Sequence, residues 1–160
     1  MRVEYISPFV KAAYSIMCDF LGEDRVSRGK VYLRKQDTQK IMGLVAVIGL
    51  TGRAEGRVLL GMEERTALNI ANAINGEEFI EVNEMVQATI QEIANMLTGR
   101  AITELHEMGF VFDITPPAIF MGKEMSMASA SQEILILPLE TELGLVDVSV
   151  SIFDKVARTE

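Results

Sequence analysis

Gln91-Glu92-Ile93-Ala94-Asn95-Met96-Leu97-Thr98-Gly99-Arg100-Ala101 lies inside the longest helical pattern of the chain, about residues 84–107. At about 100° per residue, Val86, Ile90, Ile93, Leu97 and Ala101 form one apolar stripe, which the spacing assigns to the core. Glu84, Ala88, Gln91, Glu92, Asn95 and Gly99 fall on the opposite face. Asn83 stands where an N-cap belongs, Glu84 suits the first turn, and Gly109 ends the pattern. Glu92 and Asn95 are three residues apart and so are neighbours on the helix surface. Ala88 and Gly99, one turn before and after, leave the pair standing on low ground. Four residues beyond Glu92 comes Met96, so no basic side chain neutralises the acid from there. Such a pair can enter a cleft on a partner. An ordinary solvated helix face would carry the same residues.

Outward from this helix, the periods give an α+β chain. A first helix is expected over 7–21, with Ser7 as N-cap, Pro8 at the first helical position, and Gly22 as the stop. Phe9, Ala12, Ala13, Ile16, Met17 and Phe20 recur along it at helical spacing. Short strands are expected around Val31–Leu33 and over 42–50, the latter apolar on both faces. A Gly-rich turn over 51–56 leads to a strand around Val58–Met62, making an antiparallel hairpin. A short helix over 64–75 stops at Asn75-Gly76. After the long helix, Phe110, Phe112 and Ile114 alternate until Pro116-Pro117. Residues 121–132 read as a mobile loop. Ile134–Leu137 and Leu143–Phe153 complete the set. The expectation is one domain over 1–160, with a largely antiparallel six-stranded sheet and helices on one face. The order helix, strand, hairpin occurs twice, an internal two-fold-like repeat. Within it, Gly22 is set against Gly99, and Gly56 against Gly144 as the two hairpin turns.

Composition narrows the chemistry. The 160 residues carry 15 Lys+Arg and 23 Asp+Glu, a net charge of −8, with 49% hydrophobic residues. That sign is wrong for a phosphate backbone, so nucleic acid is not expected as a partner. One Cys and one His cannot build a structural zinc site, so no metal ligands are assigned. No apolar run is long enough for a membrane span, and the N-terminus has no signal-peptide pattern. A cytoplasmic location is expected. Between Glu63 and Glu107, nine acidic residues face two basic ones, 2 − 9 = −7. An acidic helical surface suits a basic partner. Cys18, among apolar neighbours, reads as an inert thiol. His106 sits where it can favour the helix dipole. The glycines of 49–61 are not a phosphate loop, since no Lys-Ser/Thr follows them and no helix opens there.

The segment 91–101 resembles the signature helix of the CheC/CheX/FliY chemotaxis phosphatases. The Glu-x-x-Asn pair, the Met-Leu-x-Gly that follows, and the prolines about twenty residues later carry the resemblance. The N-terminal helix with its Pro-Phe step and the Gly-rich hairpin of 49–62 are closer to CheX than to CheC. CheC-type chains are expected to have two such helices. Here Ser15 and Cys18 stand opposite Glu92 and Asn95, so there is one pair. Ala88 departs from the pattern, which often has Asp or Ser there. The resemblance implies a phosphatase acting on the aspartyl-phosphate of a CheY-like receiver domain. In that reading Asn95 positions the attacking water and Glu92 pairs with the receiver's Lys. Gln91, Ala88 and Gly99 lie in the contact surface. It also implies a homodimer, and a Mg²⁺ held by the receiver with no cofactor on this chain. A receiver-binding adaptor or flagellar-switch-like module of the same fold is the alternative.

Overall fold

The protein is described here from a computed structural model covering residues 1–35, 38–128 and 133–154, with only the backbone of Met42. Three helices and one antiparallel sheet make up the described chain. Helix α1 spans Ile6–Leu21, α2 spans Glu64–Asn75 and α3 spans Glu84–Glu107. The strands are β1 Val26–Arg28, β2 Tyr32–Lys35, β3 Thr38–Gly52, β4 Ala54–Met62, β5 Phe112–Ile114, β6 Ala118–Ala128, β7 Glu133–Thr141 and β8 Gly144–Asp154.

The sheet is thus eight-stranded among the described residues, not six-stranded, in the order β1-β7-β8-β4-β3-β5. Strand β2 also pairs with β7, and β6 with β3. Each edge is therefore made of two successive strands that share one partner. The middle is the β8–β4 pair, with Val58 opposite Val150 and Leu60 opposite Val148.

Alternation decides which face is buried. Leu44, Ala46, Ile48 and Leu50 of β3 join Val58, Leu60 and Met62 of β4 in the main core. So do Val146, Val148, Val150 and Ile152 of β8 and Leu135, Leu137 and Leu139 of β7. All three helices pack against that face. Burying each of these large side chains is worth about 1.5–3 kcal/mol. The other face holds a smaller cluster, Ile41, Val45 and Leu59, with Met125 and Met127 packed on it.

That cluster corrects the expected mobile loop. Residues 118–128 are strand β6, paired with β3 from Thr38–Ala128 to Val47–Ala118. Residues 129–132 of that expectation lie outside the described residues. A register shift between Ile41 and Gly43 bends the pair. Gly43 has φ +93, and a Cβ there would meet the Met62 carbonyl oxygen and the Glu63 Cα. Only glycine meets both demands. The β3–β4 ladder ends at Leu50–Gly56, so residues 51–55 connect the two strands as expected. Around Arg53, Thr51 and Gly52 pair with β5, and Ala54 and Glu55 with β8.

Helix α1 starts one residue early. Its N-cap is Tyr5, which makes no side-chain cap bond, so Ser7 is not the cap. A 3₁₀ turn over Val3–Tyr5 feeds directly into the helix. Pro8 still lies in the first turn, where a missing N–H costs nothing. The ends of α2 and α3 match expectation. Gly76 stops α2 in the left-handed conformation, φ 64. Asn83 caps α3, its side chain accepting from the Val86 N–H at 3.0 Å.

Candidate functional site

Helix α3 buries Val86, Ile90, Ile93, Leu97 and Ala101, as its period requires, and adds Ala94, Thr98, Ile102 and Leu105. Thr98 is tolerated there because its hydroxyl donates to the Ala94 carbonyl at 2.8 Å. With that face fixed, Glu92 is exposed and Asn95 half-buried on the outer side. Neither side chain has a hydrogen-bond or ion-pair partner among the described residues. Both keep their full bonding capacity for another molecule: the amide as donor and acceptor, the carboxylate as acceptor.

The ground around them is low. Ala88 is exposed, and a Cβ built on Gly99 would meet nothing within 4 Å. Toward α1 and α2 the surface falls into a shallow groove of about 240 Å³, lined by Phe20, Ile74, Asn75, Met85, Ala88, Thr89 and Glu92. Asn75, itself exposed, lines the groove with its Nδ2 donating to Thr89 Oγ1 at 2.9 Å.

Helix α3 is braced on both flanks. On one, Arg100 Nη1 donates to Ser15 Oγ at 2.9 Å and lies 3.1 Å from Asp19 Oδ2. Lys11 pairs with Glu104 at 2.7 Å. Ser15, opposite Glu92 in the helix alignment, is therefore occupied in holding α1 to α3, and Cys18 is a half-buried free thiol. On the other flank, Gln91 Nε2 donates to the Pro117 carbonyl at 3.0 Å. The sequence places Gln91 on the open face. The structure makes it half-buried and uses its amide to tie down the segment between β5 and β6. Pro117 is one of the two prolines downstream of the pair, and this bond gives it a place beside the site. Thr115 secures the same segment to β3, its N–H donating to Gly49 O at 3.0 Å and its Oγ1 accepting from the Gly49 N–H at 2.8 Å. No single-residue signal in the sequence marks that tie.

His106 is held at the backbone of β5. Its Nε2 lies 3.2 Å from the Phe112 backbone N and O, at the start of β5. Among the described residues no group of three or more His, Cys, Asp or Glu side chains could hold a metal ion. No helix of the described chain is long and apolar enough to cross a membrane.

An antiparallel sheet with three helices on one face, and an exposed Glu-x-x-Asn on the longest of them, defines a CheC-like fold. The family profile described as Chemotaxis phosphatase CheX matches residues 44–140, which include most of the sheet and all of α2 and α3. This chain belongs to that family. It is 35% identical over 97 residues to the CheY-P phosphatase CheX of Thermotoga maritima, covering 60% of this chain and 62% of that protein. The match thus spans under two thirds of that relative's length. It is also similar to the CheX of a solved CheX–CheY–BeF₃–Mg²⁺ complex from Borrelia burgdorferi, with 34% identity and a TM-score of 0.83. That match covers 96% of this chain and 100% of the other. A CheC-like superfamily protein from Shewanella sp. PV-4 superimposes with a TM-score of 0.84 at 26% identity, over 96% of this chain and 99% of that one.

Proposed function

We propose that this chain hydrolyses the aspartyl-phosphate of a CheY-like response-regulator receiver domain. The observation that carries the reading is the unpartnered Glu92–Asn95 pair, held outward on a braced helix above low ground. The names of its relatives agree with it: one is a CheY-P phosphatase, and another was solved bound to CheY.

An acyl phosphate is already a high-energy bond, and phosphoryl transfer asks the protein mainly for position and charge. Asn95 supplies position. Its carboxamide holds a water in line with the scissile P–O bond, accepting from the water's hydrogen and orienting its lone pair at phosphorus. The water oxygen bonds to phosphorus, the aspartate carboxylate leaves, and inorganic phosphate is released. Such orientation is worth several kcal/mol of barrier, on the order of 7–11 at its limit. Glu92 supplies registration, pairing with the Lys beside the phosphorylated Asp of the receiver. The Mg²⁺ belongs to the receiver, where it offsets phosphoryl charge, and this chain brings no cofactor. Ala88 and Gly99 let the receiver approach α3 closely. Gln91 supports the site from its edge through Pro117.

The working form is a cytoplasmic homodimer. The support is the outer edge of β6, eleven residues of mostly exposed strand with Phe120 and Met121 about half exposed. An open edge of that length is a template for pairing with a second copy.

The test is phosphate release from a phosphorylated receiver with Mg²⁺. Asn95→Ala should lose about 10²-fold or more of the rate while keeping measurable docking. Glu92→Ala should lose docking as well. Equal rates for Asn95→Ala and the wild type would rule the mechanism out. A wild type that binds the receiver without releasing phosphate would make the chain an adaptor.

A further inference from the structure

The loop that leads into α3 is held from inside. Asn72 of α2 bonds Phe79 twice: its Oδ1 accepts from the Phe79 N–H at 2.7 Å, and its Nδ2 donates to the Phe79 carbonyl at 3.3 Å. The Phe79 ring packs against the core. Asn83 fixes the far end by capping α3. Between these anchors Ile80 is 92% exposed. Ordinary loop tips are polar, because an exposed Ile forgoes the gain of burial.

A second exposed apolar side chain follows five residues later. Met85, 53% exposed, opens α3 on the strip that also carries Ala88 and Glu92. Seven residues, two turns and about 10 Å, separate Met85 from Glu92. Both line the groove with Phe20 and Ile74. Exposed Ile80, Met85 and Ala88 thus precede the free carboxylate at the loop tip and along the start of α3. Its border has one sign. Glu77, Glu78, Glu81 and Glu84 are all exposed, and no Lys or Arg occurs between Gly76 and Gln91. An apolar centre inside a charged rim is how protein interfaces are built.

We infer that the receiver docks along this whole strip, with Ile80 and Met85 entering an apolar patch on the receiver that basic side chains border. The strip sets affinity and partner choice, and Glu92 and Asn95 act on the phosphoryl group at its end. This rests on the receiver-phosphatase reading above and adds the residues that select the partner. The acidic rim speeds encounter with a basic surface and disfavours acidic ones.

The experiment compares the wild type, Ile80→Asp and Met85→Ala on a CheY-type receiver encoded in the same genome. Phosphate release is followed with acetyl phosphate and Mg²⁺. Binding is titrated with the same receiver carrying beryllium fluoride. Ile80→Asp should raise KM and Kd about five- to thirtyfold, the range of an interface anchor, with kcat held within about twofold. Met85→Ala should move both constants in the same direction by less. Ile80 points into water and Met85 is half exposed, so the circular dichroism melt should shift little in either variant. Unchanged KM and Kd in both variants, beside an active wild type, would overturn the docking strip and leave the phosphatase reading standing. A fall in kcat at constant Kd would overturn it too. A wild type that neither binds nor hydrolyses would remove the reading beneath it.

Discussion

Replacing Gln91 with Met keeps the length of the side chain and a strong helix former at its position, and deletes one donor. The bond lost is the 3.0 Å contact from Gln91 Nε2 to the Pro117 carbonyl. Net loss of a bond of this kind costs about 1 kcal/mol, and in a chain of this size that lowers Tm by about 2–4 °C. The damage should be local. Helix α3 keeps its buried stripe, its Asn83 cap and its Arg100 brace. The 115–117 segment keeps Thr115 on Gly49 but loses its hold on α3. Amide hydrogen exchange should therefore speed up at the start of β6, from Ala118 onward, and stay unchanged in Ile90–Leu97. Calorimetry and exchange read both effects. In the receiver assay KM should move about threefold or less, since an internal tie contributes little area to an interface. An unchanged Tm together with a tenfold loss of affinity would refute this. Gln91 would then be a contact residue, as its place on the open helix face suggests, and the Pro117 bond would be incidental.

Two further outcomes test the frame around the site. Asp147 is half-buried on β8 with no hydrogen-bond or ion-pair partner among the described residues, and burial pushes its carboxyl above the usual range. Because the folded pKa exceeds the unfolded one, the native state holds more protons between the two, and stability falls as pH rises through that window. Asp147→Asn should therefore raise Tm at pH 7, with the gain shrinking as pH falls through the raised folded value and gone below about 4, the unfolded value; a lower Tm at pH 7 would show that the carboxylate has a stabilising role. Gly56→Ala places a Cβ against the Ser151 carbonyl oxygen in the neighbouring strand. It should cost about 2 kcal/mol and lower Tm by about 4–8 °C, read by thermal melt; a wild-type melt would mean the β4–β8 pair yields freely there.

The helices were legible in the sequence because their information is local. The 3.6-residue period placed Ile93 and Leu97 inside and Glu92 outside. Asn83 and Gly76, at the ends of α3 and α2, announce themselves by type. The strands whose faces differ, such as β8 with Val146, Val148 and Val150, were equally plain. Strand β6 was not. Lys123, Glu124 and three methionines give it no alternation, and only its long pairing with β3 makes it a strand. That pairing depends on contacts some eighty residues apart, which no window of sequence contains. The same holds for Gln91. The helix period puts it on the outer face, and only the return of the chain through Pro117 turns it into a tie. The sequence by itself determined which side chains α3 would present. The tertiary structure decided which stay free, because a hydrogen bond between distant segments exists only once the sheet has brought them together.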